Sequence, residues 1–293
     1  MPFPAFEVNF LRIAALLIIA IVYACYDLFN RRNIPDMMAY GSVAIGIVFT
    51  LALWDVQQIL YSAIVAAIVG ALSYLLYKVG QMGLGDGFEF VAISLIVPMQ
   101  PAPLLSAASQ LGLPFMLSVF VATGVAAIVL VPAYCIAHMR RGKRLAPIRG
   151  MKANTAAKAS IMILAYGSLL LFVTYSFGFS IVAWAITALI GVPSVVAIIY
   201  EEEMKAQMVR WVYPRELEVE DFVAVELMGK KDIAFFAKRY KEFGRVATKE
   251  MVGKLSPLRK KLPVYKNAIP LAFPTLIGIV AALLFGNLIL LIL

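Results

Sequence analysis

The chain has 293 residues, of which 62% are hydrophobic and only 15% charged, with a net charge of +9. An average soluble domain carries roughly 25% charged residues, and a water-soluble globule cannot hide this much apolar surface. The apolar residues fall in runs near the ~20 residues that cross a bilayer as a helix, whereas strands of a membrane barrel are short and alternating.

Eight spans are predicted. The first, Val8–Leu28, has no basic region before it and no small-residue cleavage site after it, so it reads as a retained helix rather than a secretory signal. The second and third are Met38–Trp54 and Ile59–Val79. The fourth, Phe88–Pro98, is too short to cross unaided unless it begins inside the Gly83–Gly87 turn. That start puts the turn at membrane depth, tolerated only where backbone is buried in protein or faces a wet cavity. The remaining spans are Pro114–His138, Ala159–Phe177, Ile181–Tyr200 and Pro270–Leu293.

The expected fold is therefore all-α, a polytopic helical membrane bundle with a small cytoplasmic insertion. Its parts are a membrane core over 1–138, a basic cytoplasmic loop over 139–158, a transmembrane hairpin over 159–200, a soluble cytoplasmic domain over 201–266 and a C-terminal transmembrane helix over 267–293. Within the soluble part, Ile233, Phe236, Ala237 and Tyr240 recur at three- and four-residue spacing. This predicts an amphipathic helix over Asp232–Phe243, packed on its own domain or lying on the membrane surface.

Twenty-six lysines and arginines fix the expected topology. All but Arg12 fall after an odd-numbered span: Arg31, Arg32, Lys78, seven over Arg140–Lys158 and fifteen over Lys205–Lys266. The opposite loops hold Asp55 and no basic residue. By the positive-inside rule the basic side is the cytoplasm, and both termini face outward. The basic excess is then explained by topology and by attraction to anionic membrane lipids, not by nucleic acid, since Arg140–Lys158 carries no aromatic stacking residues. Cys25 and Cys135 make neither a disulfide framework nor a four-cysteine zinc site, and His138 reads as an interfacial residue. No metal or cofactor is expected, and the oligomeric state is not legible.

Acids in lipid cost about 2.5–3.5 kcal/mol each at a helix centre on insertion scales, so those near the spans ask for a reason. Six of the seventeen acids lie outside Glu201–Glu250: Glu7, Asp27, Asp36, Asp55, Asp86 and Glu89. Asp27 ends the first span in Tyr23-Ala24-Cys25-Tyr26-Asp27-Leu28-Phe29. Asp86 sits in Gly83-Leu84-Gly85-Asp86-Gly87. The topology puts both carboxyls at the cytoplasmic face, and Gly83, Gly85 and Gly87 permit close approach and non-helical torsions. Two carboxyls held close titrate as a unit and share a proton. One then acts as base on a water while the other donates to a carbonyl, the chemistry of metal-free peptide hydrolysis. Set against this, Asp27 reads equally as an interfacial acid paired with Arg31 or Arg32, and Gly83–Gly87 as an ordinary tight turn. Asp36, after Ile34-Pro35, competes for the first role but reads as a solvated helix cap. Glu89, three residues after Asp86 on one helical face, is placed to tune the pair or to meet a basic substrate.

Asp27 with Arg32-Asn33-Ile34-Pro35-Asp36, then Gly83-Leu84-Gly85-Asp86, resembles the archaeal prepilin and preflagellin peptidases among the GxGD intramembrane aspartyl proteases. Ile269-Pro270-Leu271-Ala272-Phe273-Pro274 agrees with the Ile-Pro-rich opening of their last span. The resemblance covers Val8 to about His138 and Asn267–Leu293. It implies that Asp27 and Asp86 are catalytic and that the substrate carries a short basic leader before a hydrophobic helix, cut at the cytoplasmic side of the cell membrane. It also implies a six-span core, so that Ala159–Tyr200 is an added hairpin. Ile269, Pro270 and Pro274 read either as an extended stretch that helps hold the substrate or as a kink at a helix start. Three departures stand out. The Asp27–Ile34 interval is one residue longer than usual, Phe88 and Glu89 follow where a lysine is common, and the four-cysteine domain linked to methyl transfer in bacterial relatives is absent. A presenilin-like or signal-peptide-peptidase-like protease is the nearer rival, but such proteins place several spans before the first aspartate and a Pro-Ala-Leu triplet that is missing here. A transporter or proton relay predicts inverted repeats with broken helices, and none is evident.

Overall fold

The computed structural model describes residues 5–29, 34–52, 55–79, 82–105, 113–141, 153–219, 221–240, 243–265 and 271–288. Within them the chain forms eleven α-helices and one two-stranded ribbon. It divides into two compact units: residues 1–72, 85–200 and 270–293 in one, 73–84 and 201–269 in the other.

The membrane unit contains α1 (Ala5–Phe29), α2 (Asp36–Leu51), most of α3 (Val56–Val79), α4 (Leu84–Ile96, of which Leu84 falls in the other unit), α5 (Phe115–Arg141), α6 (Ala153–Phe177), α7 (Ile181–Ile199) and, after residues 201–269 of the second unit, the last helix, α11 (Ala272–Phe285). Five of these, α1, α3, α5, α6 and α7, are long and apolar enough to cross a membrane, and α2 and α11 are shorter apolar helices. This is a multi-pass helical membrane protein. Isoleucines, leucines and phenylalanines remain exposed along α1, α3, α6 and α7, as expected when lipid rather than water is the surrounding solvent.

Without a hydrophobic drive between helices in lipid, close packing of small residues holds such bundles together. The most extensive packing is between α5 and α11. There a Cβ built on Gly278 would lie 2.3 Å from Thr123 Oγ1 and 2.7 Å from the Thr123 backbone nitrogen. Between α2 and α4, Gly46 admits Leu95, whose Cβ would stand 2.8 Å from an added Cβ, and Thr50 Oγ1 donates to Leu95 O at 2.9 Å. Buried Arg12 on α1 donates through Nη2 to Phe49 O at 2.6 Å, meeting an orphan carbonyl at the α2 C-terminus. Past α4 the chain stays irregular through Pro98–Leu105, where Gln100 Nε2 donates to Ala282 O at 3.0 Å and the Leu105 amide to Leu284 O at 2.8 Å.

The sixth and seventh spans form a helical pair; the first of them begins at Ala153, six residues before its predicted start, and the second runs over Ile181–Ile199. Gly178, at φ +85°, turns the chain where a side chain would be strained. Ser180 then caps α7 by accepting from the Ala183 amide at 3.3 Å, and Trp184 Nε1 donates back to Thr174 Oγ1 at 3.2 Å. The fourth helix starts at Leu84, so Asp86 lies in its first turn and Gly85 and Gly87 are helical rather than in a turn. Their small size serves packing: a Cβ on Gly85 would approach Ile34 Cδ1 to 3.0 Å.

The second unit gathers Ser73–Leu84 with residues 201–269. Helix α8 (Glu201–Met208) precedes β1 (Arg210–Val212), which pairs antiparallel with β2 (Leu262–Val264) in the register Arg210 to Val264. Helices α9 (Lys230–Arg239) and α10 (Lys249–Leu255) lie between the strands in sequence, and α10 is capped by Thr248. Val212, Phe236, Met251, Leu255, Leu262 and Val264 form its core. The predicted amphipathic helix is therefore present and packs on its own domain through Phe236. It ends at Arg239 rather than Phe243, because Tyr240 turns to extended backbone (φ −136°, ψ 107°) and is itself buried.

One polar group in this unit carries a pH signature. Tyr265 Oη donates to Glu226 Oε1 at 2.5 Å, and Arg245 lies 3.5 Å from Glu226 Oε2. Partial burial favours the neutral carboxyl, but the tyrosine hydrogen bond and the arginine outweigh it and hold Glu226 below its usual range. Burial, then the bond to Glu226, pushes the Tyr265 hydroxyl up to about 12. A raised tyrosine contributes stability that is complete below the unfolded value of 10.0 and is lost as pH climbs toward 12. The lowered Glu226 contributes above its ordinary 4.5 and loses that contribution on further acidification. In chemical unfolding of the full chain in detergent, wild type is expected to exceed Tyr265→Phe in stability at pH 8. That margin should shrink as pH rises through the 10–12 window and also as it falls below the carboxylate range; a margin constant with pH would remove the pairing.

Candidate active site

The acids singled out by sequence sit on α1 and α4 of the membrane unit. Asp27 lies in the last turn of α1 and is 6% exposed. Its Oδ2 accepts from the backbone N–H of Ala272 at 2.9 Å. Ala272 is the first residue of α11, so Asp27 supplies in space the anionic cap that Leu271 lacks in sequence. An anion there meets an orphan amide and the positive end of the helix dipole. Asp86 occupies the first turn of α4, likewise at a helix N-terminus, and is partly exposed. Glu89 follows one turn later and is 0% exposed. It lies within electrostatic reach of both Asp86 and Asp27.

Tyr23, one turn before Asp27 on α1, is fully buried. Its hydroxyl lies 2.9 Å from Ser42 Oγ, and Ser42 in turn donates to Ala39 O at 2.8 Å. A hydroxyl has one proton, so Tyr23 is the donor in the first of these bonds. Phe88 packs edge-on against Tyr40, with centroids 5.1 Å apart. Ile34 lies against Gly85 and closes that side of α4.

Other predicted positions fall outside this group. Asp36 is exposed at the start of α2, with Pro35 as its cap residue, as suits a solvated acid. Gly83 precedes α4 and is partly buried, and Gly87 is buried within it. Pro274 is buried in the first turn of α11, not in an extended stretch. A proline is tolerated there because it removes an amide that has no helical partner. Ile269 and Pro270 lie outside the described residues. Among the described residues no group of three His, Cys, Asp or Glu is placed to hold a metal ion. The Ala272 amide and the Tyr23–Ser42 pair were not anticipated. The first is a backbone group and leaves no composition signal, whereas Tyr23 stands four residues before Asp27 and was open to a helical-face argument.

A multi-pass bundle with two acids at helix ends defines a class, membrane proteins with intramembrane carboxyls. Within it, residues 14–133 match the model of the Type IV leader peptidase family. The matched stretch holds both Asp27 and Asp86 and ends before the α6–α7 pair and before the 201–269 part of the second unit. Searches of curated proteins and of solved structures find no match.

Proposed function

We propose that this protein is an intramembrane aspartic endopeptidase that removes a short basic leader from type IV prepilin-like or preflagellin substrates. Asp27 and Asp86 share the reaction, and cleavage occurs at the cytoplasmic face. The observation that carries this reading is the placement of Asp27 and Asp86 in one compact unit, both within reach of the Glu89 carboxyl and both inside the matched stretch.

The chemistry follows from the two environments. One carboxylate takes a proton from water as it attacks the scissile carbonyl. The other, protonated, donates to the carbonyl oxygen as charge develops, and proton return to the leaving amine completes the cycle. Asp27 is held by a backbone amide at a helix start, which suits the ionised partner. Asp86 is partly exposed and lies where a substrate backbone can reach it. The helical substrate unwinds locally so that its carbonyl is presented.

The reading is tested by mixing the purified protein in detergent with a prepilin-type substrate bearing a Lys-Gly junction and following the shortened product by mass spectrometry. Under conditions where chemistry limits the rate, turnover is expected to be bell-shaped in pH, since the shared proton must be neither lost nor doubled. A flat profile through the acidic range would remove the acid–base assignment.

A further inference from the structure

The reaction as written leaves one carboxyl unused. Glu89 is fully buried, and neither of its oxygens receives a hydrogen bond among the described residues. The neighbouring phenol cannot supply one. Tyr23 lies within electrostatic reach of Glu89 and Asp86, but its proton is committed to Ser42. No described lysine or arginine forms an ion pair with Glu89. An acceptor buried without a donor costs about 1–3 kcal/mol, and more when charged. Such exceptions in a folded protein ask for a partner that the fold itself does not contain.

The chemistry of the surroundings says what that partner is. Asp27 and Asp86 both lie within electrostatic reach of Glu89, so a donor that enters beside its open oxygens gains most if it also carries positive charge. Access runs along the start of α4, where Gly85, Asp86 and Phe88 are only partly buried while Glu89 is closed. Glu89 stands one turn deeper than Asp86, about 4.5 Å along the axis at 1.5 Å per residue. A lysine, with its charge on a flexible four-carbon stem, spans that distance.

We propose that Glu89 is the specificity-determining acid of this site, receiving a lysine or arginine side chain that the substrate carries next to its scissile bond. The proposal rests on the peptidase reading of Asp27 and Asp86. It gives the buried carboxyl oxygens a donor only when substrate is bound, so binding of the right side chain relieves a cost built into the free protein. It also fixes register, because a cation held one turn beyond Asp86 sets which carbonyl stands at the aspartates.

The test uses two substrates that differ only in lysine or norleucine at the residue before the junction glycine. Wild type, Glu89→Gln and Glu89→Asp are compared in detergent by kcat/KM, and by peptide affinity in the Asp86→Asn background, where turnover is slow enough for binding to be read. In wild type the lysine substrate is expected to be favoured by at least about tenfold, in line with the loss on removing one member of a buried charge pair. In Glu89→Gln the lysine-to-norleucine ratio should fall toward one, and Glu89→Asp should restore part of it. Affinity should follow the same ratios, a coupling that a merely structural role of Glu89 would not produce. An equal lysine preference in wild type and Glu89→Gln overturns the proposal while leaving the peptidase intact. If wild type cleaves neither substrate, the peptidase reading falls and this proposal with it.

Discussion

Asp27→Asn and Asp86→Asn are each expected to lower leader removal by a factor of about 10² to 10⁴, the usual loss when a positioned acid or base is withdrawn. The two positions differ in what else they do, and this separates chemistry from folding. Asp27 Oδ2 accepts the Ala272 amide that opens α11. An asparagine keeps a side-chain oxygen able to accept that proton, so Asp27→Asn should lose activity with little loss of stability. Asp27→Ala removes the cap as well and should cost a further 0.5–2 kcal/mol or so, the range for lost N-caps, seen as a lower unfolding midpoint in detergent. Asp36→Asn is the control: Asp36 is exposed on α2, and its variant should retain turnover. Full cleavage by either Asp27→Asn or Asp86→Asn would end the proteolytic reading.

The largest expected effect on stability lies at the crossing of α5 and α11. Gly278→Ala puts a methyl group 2.3 Å from Thr123 Oγ1, 2.7 Å from its backbone nitrogen and 2.9 Å from its Cα. Real Cβ contacts are not that short, so the two helices must separate. Overpacking of a close-packed core costs about 1–3 kcal/mol, and here the helix displaced is the one that presents Ala272 to Asp27. Thermal unfolding in detergent should show a clear drop, and cleavage should fall with it. Thr123→Ala should fail to rescue, because two of the three clashing atoms are backbone. Gly124→Ala, one residue along α5 with nothing within 4 Å of its Cβ, should be neutral or slightly stabilising, since alanine is about 1 kcal/mol better than glycine in a helix. Equal behaviour of Gly278→Ala and Gly124→Ala would show that this crossing does not need glycine.

Much of the architecture was legible because the signal is physical and local. Apolar runs such as 181–200 must be helices in lipid, and the helix over Ile181–Ile199 starts where predicted, whereas α6 begins at Ala153 rather than Ala159 and the last helix ends at Phe285 rather than Leu293; five of the eight predicted spans are long enough to cross a membrane. Asp27 and Asp86 stand out in the sequence for the complementary reason, that acids are costly at the ends of membrane helices. What escaped the sequence is what depends on contacts far along the chain. The pairing of Arg210–Val212 with Leu262–Val264 joins two three-residue strands, too short to show a period. The stretch from Gly83 to Gly87 reads as a turn from its glycines, yet most of it is the first turn of α4, where small residues admit Ile34. Pro274 reads either as extended or as part of a helix start, and it lies in the first turn of α11.

The bond between Asp27 and Ala272 joins residues 245 apart in sequence, and this bears on how the chain can change. The entropy of closing so long a loop grows only with the logarithm of its length, roughly 0.6 kcal/mol for each doubling. Insertions, deletions or wholesale exchange of the segment after α7 thus leave the tether nearly unaffected, so long as α11 returns to its berth. The Asp27 end of the molecule is in this sense indifferent to its own middle, which leaves the intervening module free to diverge while the first and last helices stay bound to each other.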